Sequence, residues 1–127
     1  MATPDLSFCS FTIADRYGRT QTISNGDTFV SVVDWDDNTL TIYPAIRNDG
    51  AAPAVDVTLS YTSSSGFEIT ILDGSSWFDT IPVGDCIQND DTIRIYHMAQ
   101  SMGSTCQVTL TEGYSNKTFT FTILTTN

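Results

Sequence analysis

"AIRNDGAAPAVDVTLSY", residues 45–61, decides the fold. It joins a tight-turn signal, Asn48-Asp49-Gly50, to a run that alternates between apolar and polar residues. Period-two alternation marks a strand with one face buried and the other in water. Val55, Val57, Leu59 and Tyr61 are expected on the inner face, and Asp56, Thr58, Ser60 and Thr62 on the outer one. Asn48, Asp49 and Gly50 tolerate positive φ, so the turn is expected to be a structural corner. The small Ala51, Ala52 and Ala54 let the chain turn there without bulk, and Asn48 is expected to bond the loop backbone rather than a ligand.

The same periodicity recurs outward from this stretch. It places Leu40, Ile42 and Ile46 on one face, with Pro44 marking an edge or a bulge. It does so again for Phe67, Ile69 and Ile71, for Ile93 and Ile95, for Cys106, Val108 and Leu110, and for Phe119, Phe121 and Ile123. Turn signals fall between these runs, among them Asn25-Gly26-Asp27, Ser65-Gly66, Asp73-Gly74, Asn89-Asp90 and Met102-Gly103. No segment has helical periodicity. The pattern predicts one domain over residues 1–127, all-β, an antiparallel β-sandwich of about seven to nine strands in two sheets.

Composition narrows the partners. The chain has 127 residues, five basic against fifteen acidic, and a formal charge of −10. Such a surface repels phosphate backbones and anionic lipid, so neither nucleic acid nor a membrane surface is an expected partner. No apolar run is long enough for a membrane helix, so direct insertion is not expected either. The opening "MATPDLS" reads as an initiator methionine on a mature or excised domain. A single lysine, many threonines and the sequon Asn116-Lys117-Thr118 suit an extracellular or cell-surface protein. Cys9, Cys86 and Cys106 allow at most one internal disulfide and match no zinc spacing; they are read as buried thiols.

Three further features carry a resemblance. Pro4-Asp5-Leu6 precedes the first strand, "LTIYPAIRNDGAAPAVDVTLSY" ends one strand in Asn-x-Gly and starts another, and Ile81-Pro82-Val83-Gly84 leads into "DTIRIYH". In these the chain resembles the bacterial cell-adhesion-related domain (CARDB), and similar immunoglobulin-like accessory domains of secreted bacterial proteins. The likeness covers roughly residues 4–62 and 78–111; "NGDTFVSVVDWDDN" adds about ten residues to the pattern, and the paired asparagines near the family's C-terminus are missing. It implies an immunoglobulin-like sandwich with no catalytic residues, and it implies other domains of the same parent protein, or surface proteins, as partners.

Four clusters invite chemistry. In "VVDWDDNTL", Asp34, Asp36 and Asn38 stand at positions 1, 3 and 5 of a calcium-loop pattern, but Thr39 replaces the glycine and Ala45 the final glutamate. A looser calcium site, the one cofactor the sequence suggests, stays open beside a plain polar hairpin tip. Trp35 and Trp77, with Asp36 and Asp37 near the first, are candidates for stacking on a glycan; the competing reading puts indoles in the core. His97, Met98, Met102 and Cys106 are soft-metal ligands, but a copper site of the cupredoxin type needs two histidines, and the order here is reversed. His97 and Cys106 instead share parity with inward residues, at the two ends of a hairpin through Met102-Gly103. The lone histidine has no sequence partner for a triad, and Lys117 points outward by parity, which argues against an isopeptide link. The expected function is a non-catalytic structural or adhesion module, a spacer or protein-interaction domain. A carbohydrate-binding module and a surface-filament subunit are the alternatives.

Overall fold

The computed structural model describes residues 3–35 and 37–126. Among these there is no helix, and thirteen strands make three sheets. In chain order they are β1 (Leu6–Phe8), β2 (Phe11–Ala14), β3 (Thr20–Ile23), β4 (Thr28–Val32), β5 (Thr39–Tyr43), β6 (Ala45–Asn48) and β7 (Ala54–Gly66). There follow β8 (Ile69–Asp73), β9 (Ser75–Ile81), β10 (Cys86–Gln88), β11 (Ile93–His97), β12 (Thr105–Glu112) and β13 (Thr118–Thr126). The sheets run β1-β6-β10, β3-β2-β5-β11-β8 and β4-β13-β12-β7-β9.

The extra strands and the third sheet have a simple origin. Three long strands are each broken once, at Cys9-Ser10, at Pro44 and at residues 89–92. Proline lacks the N–H that a continuous ladder would use, so β5 ends there and β6 resumes one residue later. The broken strands stay knit: Cys9 N donates to Ala45 O and Asn89 N to Pro44 O. The small sheet thus prolongs its five-stranded neighbour into one layer, and the other five-stranded sheet faces it. The architecture is sandwich-like.

Period-two alternation fills the space between the layers. Phe119, Phe121 and Ile123 of β13, Cys106, Val108 and Leu110 of β12, Ile93 and Ile95 of β11, and Leu40 and Ile42 of β5 are all buried. Phe11 of β2 stacks on Phe119 of β13 at 3.8 Å between ring centroids, and Phe8 meets both rings edge-on. Burying such rings contributes on the order of 2 kcal/mol each.

Several expectations need correction. Cys9 and Cys86 are not buried thiols: they form a disulfide that spans β6, one cysteine just past β1 and the other opening β10. Sequence spacing alone could not show that two positions separated by 77 residues meet on the strands flanking β6. Val55 does not share the inner face with Val57; it is 59% exposed, because Asp56 takes φ 60 and turns the strand by one position. In β8 the ladder with β11 slips, Arg94 opposing Asp73 and Ile95 opposing Ile71, so Ile71 and Leu72 both reach solvent. Residues 98–104 are not a hairpin but a crossing from one layer to the other, since β11 and β12 lie in different sheets. One pair departs from antiparallel order: β4 runs parallel to β13.

The corner at residues 48–50 works as expected but for another reason. Asn48 is fully buried, and its side-chain oxygen accepts from Asp5 N (3.0 Å) and Gly50 N (2.9 Å). Its amide group donates to Ala52 O (2.7 Å) and Ile81 O (3.2 Å), so every bonding position is used. No residue of the corner has positive φ. Gly50 is needed because the N-terminal segment crosses directly over it: a Cβ there would lie 2.3 Å from Thr3 O and 2.5 Å from Asp5 N.

Side chains close two of the lateral edges. Gln21 of β3 donates from its amide to Val30 O (2.8 Å) and accepts from Val30 N (3.1 Å), occupying the open side of β4. On the other flank Asp91 accepts from Trp77 N (2.8 Å) and Asn89 donates to Trp77 O (2.6 Å), blocking the edge of β9.

Candidate functional site

The cluster around Trp35 sits where the β2–β3 turn meets the loop joining β4 to β5. Asp15 builds the turn: its Oδ1 accepts from Tyr17 N and Arg19 N, both at 2.9 Å, and its Oδ2 from Arg19 Nε at 2.7 Å. The Arg16 and Arg19 guanidinium groups lie 5.6 and 5.1 Å from the centre of the Tyr17 ring. Two of the five cations in the chain are therefore gathered at one aromatic residue. The Tyr17 hydroxyl donates to Asp34, and Arg16 Nη1 lies 3.6 Å from Asp34 Oδ1, which ties the two loops together.

Inside the second loop, Asn38 is buried and closes a local ring, accepting from Asp34 N and donating to Asp34 O, both at 2.8 Å. Asp37 Oδ1 accepts from Thr39 N (2.9 Å) and from its hydroxyl (2.5 Å). Trp35, next to Asp34 in this loop, is 90% exposed. A shallow, open depression is lined by Tyr17, Ser31, Asp34, Asp37 and Asn38.

Of the proposed metal ligands, Asp36 lies outside the described residues. The structure brings Asp34 and Asn38 together, but it spends both ends of the Asn38 amide on Asp34 backbone. Among the described residues no three of His, Cys, Asp or Glu are grouped as a metal site. Calcium bound here would have to displace the Tyr17 and Arg16 contacts to Asp34.

The structure does not unite the two tryptophans. Trp35 follows β4 and Trp77 belongs to β9, the opposite edges of one five-stranded sheet. Four strand spacings, about 19 Å across the sheet, separate those two edges. Trp77 is half-exposed on the outer face, and its Nε1 donates to Asp56 Oδ1 at 2.6 Å. Neither indole is part of the buried core.

Sequence reasoning missed the partner of His97. Its Nδ1 bonds the Met98 carbonyl (2.9 Å), which can only accept, so Nε2 is free to accept from the Ser31 hydroxyl at 3.0 Å. Ser31 lies on β4 and His97 on β11, so this bond crosses between layers. A serine donating to an imidazole resembles a nucleophile and its base, but Ser31 is only 2% exposed, and a carbonyl stands where a triad has a carboxylate. Burial lowers the His97 pKa below the ordinary 6.5, with the Met98 carbonyl acting in the opposite direction. The other soft ligands are divided. Met98 and Met102 face solvent, while Cys106 is buried, donates to Phe67 O at 3.3 Å, and has its thiol pKa raised by that burial. The cluster is interlayer packing plus two exposed methionines.

A second unforeseen residue is Glu112. Fully buried at the end of β12, it accepts from Tyr114 N (2.8 Å), Ser115 N (3.0 Å) and Lys117 N (3.0 Å) and so shapes the turn before β13. Lys117, exposed as parity predicts, reaches Asp5 Oδ1 at 3.1 Å and the Leu6 carbonyl. A shallow surface depression lies between this turn and β1. The sequon residue Asn116 is exposed in that turn, with φ 61. Compared with known proteins, the chain matches no protein-family model and no curated protein.

Proposed function

We propose that the chain is a non-catalytic, immunoglobulin-like module of an extracellular or cell-surface protein, serving as a rigid spacer or adhesion unit. The observation that carries this reading is the polarity of its first and last strands. Lys117, just before β13, is bonded to Asp5 and Leu6, so β1 begins at that pole. The nine residues of β13 then carry the chain about 27 Å to the opposite pole. A body that receives the chain at one pole and delivers it at the other separates whatever it joins.

Other features agree. The Cys9–Cys86 disulfide suits an oxidising compartment. Closed edges at β4 and β9 suit a unit that stays separate beside its neighbours. Both terminal strands, β1 and β13, are paired within the chain, which favours a spacer over a donor-strand filament. The test is small-angle scattering from two copies fused head to tail. The maximum dimension should approach twice that of one copy; a value near that of one copy, from side-by-side packing, overturns the reading.

One observation favours a second reading, glycan recognition at the β4–β5 loop: the exposed Trp35, next in sequence to Asp34, whose carboxylate accepts from Tyr17. A glycan array probed with the wild type and with Trp35→Ala decides it. Binding lost in the variant supports it, and no binding by the wild type removes it.

A further inference from the structure

We propose that the domain bears tension along its long axis and that the Cys9–Cys86 disulfide sets how far it can extend. The proposal rests on the spacer reading above and gives that spacer a mechanical property with two settings.

Tension entering at Asp5 draws β1 toward its own pole, and tension leaving at Thr126 draws β13 toward the other. Ladder hydrogen bonds run across the strands. Pulling along a strand therefore loads its bonds together instead of opening them one after another. β13 is held on both sides, by β12 over Thr105–Thr111 and by the parallel β4 over Thr28–Val32. It is also tied by Thr122 N to Asp27 O at 3.0 Å. β1 has one ladder partner, β6, over three residues, so the β1 end yields first.

Directly behind β1 stands Cys9. With the disulfide intact, force passes from Cys9 straight to Cys86, and the residues between them, which hold β2 to β9, leave the load path. Their 77-residue span, at ~3.5 Å per residue, withholds about 270 Å of chain. Reduction releases it: a dithiol gives two electrons and two protons, Cys9 and Cys86 become thiols, and the dithiol closes to its own disulfide. Cys86 is exposed and Cys9 half-buried, so a reductant has access. Cys106, buried with its thiol pKa raised, is a poor competitor for exchange. The redox state thus selects a short or a long extended form.

Single-molecule stretching of the whole chain, held by its two ends with and without dithiothreitol, tests this. The oxidised chain should unfold at a resolvable force with a contour gain about 270 Å shorter than the reduced chain. A double variant, Cys9→Ser with Cys86→Ser, should give the long gain in both buffers. Equal gains for oxidised and reduced wild type overturn the stop, and unfolding without a resolvable force in both states overturns load bearing. Thr122→Pro, which deletes the bond to Asp27, should lower the unfolding force at unchanged contour gain; an unchanged force contradicts the β4–β13 clamp. If that variant fails to fold, the wild-type comparison still decides. Any of these failures would leave an elongated tandem in scattering untouched, whereas a side-by-side tandem would remove the spacer reading itself.

Discussion

At the scale of single residues, the corner at Asn48 and Gly50 shows how one stretch can be read correctly for a partly wrong reason. The sequence marks the turn, and the expectation that Asn48 serves the backbone holds, with four bonds to four backbone groups. Conformational freedom at Gly50 is not what the corner needs; it needs room for Thr3 to Asp5. Gly50→Ala should cost about 2 kcal/mol by forcing that segment away. Asn48→Ala should cost about 3 kcal/mol or more, since buried groups lose their partners. Urea titration measures both, and values within error of wild type would contradict the account. His97 adds a pH dependence. Its folded pKa lies below 6.5, so the unfolded state binds more protons. Its contribution is whole above pH 6.5 and lost progressively below it, with a slope of at most about 1.4 kcal/mol per pH unit. His97→Gln should flatten the urea midpoint between pH 7 and 5; equal slopes would refute this. The same pair explains a miss. Ser31 and His97 are 66 residues apart, and nothing local marks a bond between layers.

At the scale of elements, legibility followed local regularity. β5, β11, β12 and β13 were visible because every second residue is apolar and each inward one is buried. The sequence could not show where regularity fails. Asp56 at φ 60 and the slip in β8 look from sequence like continued alternation, yet they turn Val55 and Ile71 outward. Of the three strand breaks, those at Pro44 and at Asn89-Asp90 carry a signal and the one at Cys9-Ser10 does not. The disulfide belongs to this scale too. Closing so long a loop restricts the unfolded chain, so the Cys9→Ser, Cys86→Ser variant should lose about 4 kcal/mol, read as a lower urea midpoint. An unchanged midpoint would mean that the bond restrains nothing. The edge of β9 makes a separate prediction. Replacing Asn89 and Asp91 with alanine uncovers the backbone of Trp77, and sedimentation velocity should show association that the wild type lacks.

At the scale of the molecule, charge and alternation conveyed the class of fold, and topology conveyed the rest. Trp35 was legible as an exposed residue because acids surround it in sequence. The link from Tyr17 to the adjacent Asp34 was not, because the β2–β3 turn reaches that loop only through the fold. The separation of Trp35 from Trp77 likewise depends on which strands lie at the edges of the sheet. The spacer reading has the same source: two strands far apart in sequence place the chain at opposite poles. The most direct test is one distance, between spin labels carried on non-natural residues at positions 5 and 126, which spares the three cysteines. The account predicts a single narrow distribution beyond about 25 Å, the length of β13. A distribution centred below about 15 Å would contradict it.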